Sequence, residues 1–235
     1  MSGTFRQSRR QGSPFAQFLR ANGLSIATFA LFALSIVGHV WSGLAVENRE
    51  ARQHGEVGPS LSEYLSSGAF IESVFENWES EFLQMAVFVI ATTYLHQRGS
   101  SESKPLDAQS PVDEDPAKSR HDPAASWPVR RGGIALLLYE RSLSLSLILL
   151  FLVSFALHAV GGAANYNDEQ LRHGGQSLSV LAYLGSAQFW FESFQNWQSE
   201  FLSVGVLVLL TIFLRERGSS QSKPVAAPHG HTGES

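Results

Sequence analysis

The sequence predicts an all-α integral-membrane protein, a four-helix bundle built from two parallel-related helical hairpin repeats. The apolar run at residues 24–46 is long enough to cross a bilayer, which takes about 20 residues. Residues 24–105 also align without a gap with residues 143–224, and roughly 35 of about 82 aligned positions are identical. That level of identity indicates an internal duplication, so the second half of the chain should repeat the helical hairpin of the first.

The first repeat, residues 24–105, should follow a basic cytoplasmic leader at residues 1–23. A cleaved secretory signal would have a shorter apolar core of about 7–15 residues, so we interpret the run at 24–46 as a retained membrane helix. A polar loop then leads to a second helix at residues 70–97. Its strongly apolar part is too short to span a bilayer alone, so its polar half should lie in the membrane or at its outer edge.

The second repeat, residues 134–224, should place its helices at residues 143–164 and 189–216. Residues 106–133 are rich in Pro, Asp, Ser and Ala and cannot bury enough apolar surface to fold, so we expect a disordered linker there. The same reasoning predicts a disordered tail at residues 225–235.

Composition limits the possible functions. Only 16% of the 235 residues are charged, whereas about 25% is usual for globular proteins. With no cysteine, the chain cannot form a disulfide, a thiolate nucleophile or a zinc–thiolate site. A net charge of -4 argues against nucleic-acid binding, which usually needs a basic patch. We expect no cofactor, and the expected partner is the lipid bilayer; oligomerisation, a protein partner and a small ligand stay open.

Basic residues predict the orientation. They cluster before the first helix, in the linker and after the last helix, while the two hairpin loops carry few. Because basic residues favour the cytoplasmic side of a membrane, both termini and the linker should be cytoplasmic. Each repeat then crosses the membrane twice, so the two repeats share one orientation.

A polar heptapeptide recurs in the second helix of each repeat. Asn77-Trp78-Glu79-Ser80-Glu81-Phe82-Leu83 returns 119 residues later as Asn196-Trp197-Gln198-Ser199-Glu200-Phe201-Leu202. Charged groups inside a membrane are costly and mark candidate functional sites. Trp78 and Trp197 are expected to be packing or interfacial aromatics. Glu76 and Glu79 fall on another helical face and are predicted to be interfacial.

The repeated motif predicts a polar layer. His39 and Glu81 both lie roughly 22–24 Å above the predicted cytoplasmic boundary at a helical rise of 1.5 Å per residue, and His158 and Glu200 repeat this depth. We therefore expect His39 to face Glu81 and His158 to face Glu200. The candidate site residues are His39, Asn77, Ser80, Glu81, His158, Asn196, Ser199 and Glu200.

Four interpretations of this layer are open. The preferred one is a structural polar lock, in which the groups hydrogen-bond across helices and fix their packing. The alternative is a small-molecule, proton or cation transporter or a ligand-binding membrane protein, since histidine and desolvated glutamate both titrate near neutral pH. Two histidines and two glutamates would also suit a divalent metal. No nucleophile–base pair is recognisable, so an enzyme is the least favoured interpretation.

Each repeat ends in a second shared motif. Arg98-Gly99-Ser100-Ser101 and Ser103-Lys104-Pro105 recur as Arg217-Gly218-Ser219-Ser220 and Ser222-Lys223-Pro224. Gly99 and Gly218 suit left-handed helix C-caps. Together with the paired heptapeptides, these motifs resemble a family of uncharacterised bacterial multi-pass membrane proteins, described as a domain of unknown function. The resemblance implies a location in the bacterial cytoplasmic membrane and supplies no activity, ligand or catalytic residue.

Overall fold

The computed structural model describes residues 13–106 and 110–233, and in those ranges the chain is helical and contains no strand. An all-α fold is therefore confirmed. The chain divides after Ser66 into two compact units, Met1–Ser66 and Ser67–Ser235.

Among the described residues of the first unit, 13–66, there is one long helix and one short helix. Helix α1, Pro14–Gln53, begins at Ser13, whose side chain accepts a hydrogen bond from the Ala16 amide at 3.3 Å. It is longer at both ends than the predicted span of 24–46, because the polar residues that flank the apolar run also favour a helix. The chain turns at Gly55, whose φ of +75° lies in the left-handed region that glycine adopts readily.

Helix α2, Leu61–Leu65, begins with a capping box in which Ser60 and Glu63 satisfy each other's backbone amides. The hydrogen bonds from Ser60 hold the pKa of the exposed Glu63 carboxyl below its usual value. Asn48, on α1, donates to the Pro59 carbonyl at 3.2 Å and so ties the loop to the helix. These contacts give the first unit a defined turn between its helices.

The second unit contains three long helices. These are α3 at Gly68–Tyr94, α6 at Ser142–Arg172 and α8 at Ala187–Phe213. Shorter helices connect them: α4 at Trp127–Arg131, α5 at Gly133–Glu140 and α7 at Val180–Leu184. Helix α3 packs along α6 and also against α8. Helix α3 therefore has two neighbours, α6 and α8.

Glycines allow α3 and α6 to approach closely. A Cβ atom added to Gly161 would lie 2.6 Å from the Glu72 backbone nitrogen, which no real side chain tolerates. A Cβ added to Gly162 would lie 2.6 Å from the hydroxyl of Tyr183 on α7, so this glycine lets the tyrosine approach α6 as well. Small residues at helix contacts are typical of membrane proteins, where close backbone packing replaces the hydrophobic effect as the driving force.

The turns after α3 and α8 differ from the predicted helix caps. Both helices end three residues earlier than predicted, at Tyr94 and Phe213. Gly99 and Gly218 do have positive φ, +87° and +89°, but they lie in the turns that follow the helices. Their conformation was therefore predicted correctly and their place relative to the helix end was not.

The Lys223 side chain is buried at the end of the second unit. Its ammonium donates to the backbone carbonyls of Gly99, Ile212, His229 and His231. Burial, with the nearby Arg215, lowers the pKa of this lysine. Residues 225–233, predicted as part of a disordered tail, thus lie against the turn that follows α3.

The linker also carries local structure where it is described. Short 3-10 helices occur at Pro111–Asp113 and Pro116–Ser119, and α4 follows them. Lys104 forms an ion pair with Asp113 at 2.7 Å. Residues 107–109 lie outside the described residues, as do residues 1–12 of the predicted leader and residues 234–235 of the predicted tail.

Three helices among the described residues are long and apolar enough to cross a membrane: α1, α6 and α8. This supports a membrane protein. Helix α3 fails the same test because four glutamates fall in its first half and leave too short an apolar stretch behind them. The predicted four-helix bundle of two repeats stays a prediction.

Candidate functional site

A buried group of acids surrounds one histidine in the second unit. Helix α3 carries Glu72, Glu76 and Glu79 at intervals of four and three residues, so all three lie on one face of the helix. Helix α6 contributes His158 and α8 contributes Glu192. We call these five residues the acid–histidine cluster.

The prediction that Glu76 and Glu79 are interfacial is wrong for Glu79, whose exposure is 0%. Glu76 is half-buried, and its carboxylate accepts a hydrogen bond from the Asn196 side chain. The helical-face argument separated these residues correctly from Glu81 but assigned the wrong face to the helix contact. The face that carries Glu72, Glu76 and Glu79 is the one that packs against the other helices.

His158 is fully buried and engaged on one ring nitrogen. Its Nδ1 atom lies 2.7 Å from Glu79 Oε2, and its ring stacks on Phe189 with centroids 4.7 Å apart. The second oxygen of Glu79 accepts from Trp197 Nε1 at 2.9 Å. Glu79 therefore links α6 to α8 through α3.

The other ring nitrogen of His158 faces two more carboxylates. Nε2 lies 3.4 Å from Glu192 Oε2 and has no hydrogen-bond partner in the part of the chain that the structure describes. The Tyr183 hydroxyl donates to the same Glu192 oxygen at 2.6 Å and lies 3.3 Å from Glu72 Oε1. Nε2 is thus a buried polar atom close to a pair of carboxylates.

Side-chain amides orient the remaining carboxylate oxygens. Asn165 Nδ2 donates to Glu72 Oε2 at 2.6 Å, and Gln188 donates to Glu192 Oε1. Asn165 belongs to α6, so its bond to Glu72 again joins α6 to α3. Four carboxylates and one imidazole therefore share one buried network whose bonds run between helices.

The predicted site residues divide between this cluster and other surfaces. His158, Asn196 and the motif residue Trp197 take part in the network. Ser80 is 1% exposed, but its hydroxyl donates to the Asn77 carbonyl of its own helix. Ser199 likewise donates to the Asn196 carbonyl and is exposed.

Two predicted residues on α3 make contacts within their own helix. Asn77 is exposed and its amide donates to the Ser73 carbonyl one turn earlier. Trp78 is half-buried and packs edge-on against Phe75 and Phe82, as expected for a packing aromatic.

Glu81 and Glu200, the predicted centre of the layer, lie away from the cluster. Glu81 is exposed in its unit and Glu200 is half-buried. Glu200 is eight residues beyond Glu192 on α8, roughly 12 Å along the helix axis. Glu200 therefore lies about two helical turns from the acid–histidine cluster.

The predicted pairings have different outcomes. His158 was expected to face Glu200, but its ring nitrogens face Glu79 and Glu192 instead. The depth comparison failed because it considered only pairs within one repeat, whereas α6 packs on α3 of the other repeat. His39 and Glu81 belong to separate units, so their pairing stays a prediction.

The cluster can hold positive charge. Glu72, His158 and Glu192 each offer one ligand atom, and these atoms lie within 4.8 Å of one another. The carboxylates of Glu72, Glu79 and Glu192 around one imidazole also make a proton or a cation favourable there, because unpaired buried charge is expensive. The sequence signal for this site was the spacing of Glu72, Glu76 and Glu79.

The comparisons with known proteins identify the family. Residues 15–234 match the model of a family described as a domain of unknown function (DUF6766), and the chain belongs to that family. No curated protein matches it. No solved structure matches it either.

Proposed function

We propose that this member of the DUF6766 family is an integral-membrane protein whose acid–histidine cluster locks its helices together. The observation that carries the proposal is Glu79, which is fully buried and bonded to His158 of α6 and Trp197 of α8 at once. One α3 side chain thereby fixes the spacing of three helices. Glu72 adds a second link between α3 and α6 through Asn165.

Such links suit a membrane environment. Lipid is as apolar as a leucine side chain, so helices gain little by burying apolar surface against one another. Polar bonds between membrane helices contribute about 0.6–2 kcal/mol each, and a carboxylate left without a partner would be far more costly. The cluster therefore favours one arrangement of α3, α6 and α8 over others.

The proposal includes four membrane helices, arranged as two parallel repeats in the bacterial cytoplasmic membrane. Each of α2 and α3 recurs 119 residues later as α7 and α8, with the same length, and α1 and α6 end at equivalent residues. These equivalences support the duplication. The distribution of basic residues supports cytoplasmic termini and linker.

A second candidate function is proton or cation handling in the membrane, which includes transport that uses Glu81, Glu200, His39 and His158. The excess of carboxylates over imidazoles favours it. A rigid lock needs matched partners, whereas Glu72, Glu76, Glu79 and Glu192 outnumber the only histidine in their network. Surplus negative charge in a buried site attracts protons or cations.

Replacement of Glu79 tests the lock. Glu79→Leu leaves the His158 and Trp197 donors without their acceptor, and each buried unsatisfied group costs about 1–3 kcal/mol. We expect a clear fall in the melting temperature of the metal-free protein in detergent. Glu79→Gln keeps an acceptor oxygen, so its melting temperature should fall less.

Gln198→Leu is the matched control, because Gln198 is the repeat equivalent of Glu79 and is exposed. It should melt like the wild type. Equal melting of Glu79→Leu and Gln198→Leu would show that the cluster does not hold the helices together.

A further inference from the structure

We propose that Glu72, His158 and Glu192 bind one divalent transition-metal ion, with Zn²⁺ as the representative case. The proposal concerns the acid–histidine cluster and rests on the proposed membrane lock only for the position of these side chains. Metal binding is an additional property, because the interhelical hydrogen bonds of Glu79 and Asn165 exist without an ion.

The spacing of the ligand atoms fits a small cation. His158 Nε2 and Glu192 Oε2 are 3.4 Å apart, and the ligand atoms of all three residues lie within 4.8 Å of one another. Ligands at about 2.0–2.1 Å from a tetrahedral zinc ion are about 3.3 Å apart. Small rotations of Glu72 would complete the set. Three protein ligands leave a further position for water.

The geometry at His158 suits such an ion. Its Nδ1 atom lies 2.7 Å from Glu79 Oε2, so the tautomer that donates Nδ1–H to Glu79 leaves Nε2 free to bind a metal beside Glu192. Nε2 is fully buried and has no hydrogen-bond partner among the described residues. A lone pair facing two carboxylates is repulsive unless a positive charge lies between them. A divalent ion with these two carboxylates and a neutral imidazole forms an uncharged unit, which a membrane interior favours.

An outer shell already orients the ligands. Histidines that bind metals almost always donate the other ring nitrogen to a carboxylate or carbonyl, and ligating carboxylates are themselves hydrogen-bonded. Glu79 accepts from His158 and is fixed by Trp197, while Asn165 and Gln188 donate to the second oxygens of Glu72 and Glu192. Every proposed ligand therefore has the supporting bond that metal sites require.

The competing possibility is a protonated His158 that bridges Glu79 and Glu192 without a metal. In that case the folded protein would bind no zinc.

The ligand types determine the probe ions. Nitrogen and oxygen ligands without thiolates are compatible with Zn²⁺, Mn²⁺ and Co²⁺, and we choose zinc and cobalt from these. Cobalt is informative because a low-coordinate site gives stronger visible absorption than hydrated cobalt does.

The test is metal titration of the full chain, purified in detergent and stripped with a chelator. We expect one zinc ion per chain, with protons released on binding if His158 or a glutamate is protonated beforehand. His158→Gln and Glu192→Gln should lower affinity at least tenfold. Glu79→Gln, which alters the outer shell, should lower it about 10–100-fold.

Two controls keep the test specific. His39→Gln changes the repeat equivalent of His158, and His229→Gln with His231→Gln removes the histidines near the chain end; neither should change the stoichiometry or affinity. Zinc binding that persists in folded His158→Gln and Glu192→Gln would overturn the proposal, and so would the absence of binding to folded wild-type protein.

If both ligand variants fail to fold, Glu72→Gln and the cobalt spectrum of the wild type decide the question. A spectrum of hydrated octahedral cobalt would overturn the site. The lock is judged separately, from the melting of metal-free Glu79→Leu, so either proposal can fail without the other.

Discussion

At the scale of single residues, burial separates two kinds of glutamate on α3. Glu79 is fully buried with two donors, while Glu81, two positions later, is exposed in its unit. In a helix a two-residue step turns a side chain by about 200°, so these neighbours face opposite ways. The duplicated motif contains both, although Glu79 alone reaches His158.

This contrast predicts the effect of changing Glu81. Glu81→Gln and Glu81→Leu should shift the free energy of unfolding by about 0.5 kcal/mol or less, as exposed substitutions usually do. Glu79→Leu should exceed them several-fold. Melting curves of all three variants in one detergent provide the comparison. A Glu81 variant that destabilises the protein as much as Glu79→Leu would show that Glu81 contributes as much to stability as Glu79 does.

The sequence predicted some site residues and missed others for a physical reason. His158, Asn196 and Trp197 stood out because they belong to the duplicated pattern. Glu72 and Glu192 did not, because their contacts join the two repeats and neither has a glutamate at the equivalent position of the other copy. A repeat reveals what the two copies share, whereas three carboxylates of this cluster differ between the copies: Glu72, Glu79 and Glu192 have Phe191, Gln198 and Ser73 as equivalents.

At the scale of the elements, the sequence predicted helix identity better than helix ends. All four long helices exist, but α1 extends past its apolar run, while α3 and α8 end three residues before their predicted ends. Hydropathy reports where a segment is apolar, while hydrogen bonding and capping decide where it ends. The short helices α2 and α7 were missed because a single capped turn has no apolar period.

The α3–α6 contact gives a prediction of its own. Gly161→Ala places a methyl group where the Glu72 backbone lies, so α3 must move, which costs about 1–3 kcal/mol. The variant should lower the melting temperature and weaken zinc binding, because Glu72 and His158 lie on the two separated helices.

Gly205→Ala is the opposite control. Nothing lies within 4 Å of an added Cβ at Gly205, and alanine favours a helix over glycine by about 1 kcal/mol. It should therefore raise the melting temperature or leave it unchanged. If Gly161→Ala and Gly205→Ala changed the melting temperature equally, close packing at Gly161 would not be what holds α3 against α6.

At the scale of the whole molecule, the topology depends on whether α3 crosses the membrane. Helices α1, α6 and α8 meet the requirements for a span, while α3 carries four glutamates in its first half. Burial of Glu79 against α6 and α8 removes part of the cost of placing α3 in the membrane. The cluster thus explains how a helix with too short an apolar run could cross.

Reporter fusions distinguish four crossings from three. With four, a reporter at Gly58 should lie outside and one at Ser110 inside, because the basic linker favours the cytoplasm. A reporter at Gly175 should again lie outside and a C-terminal one inside. If α3 did not cross, Gly58 and Ser110 would both lie outside. Gly175 would then lie inside and the C-terminus outside. The four reporters therefore give a different pattern for each topology, and a shared side for Gly58 and Ser110 would contradict the parallel repeats.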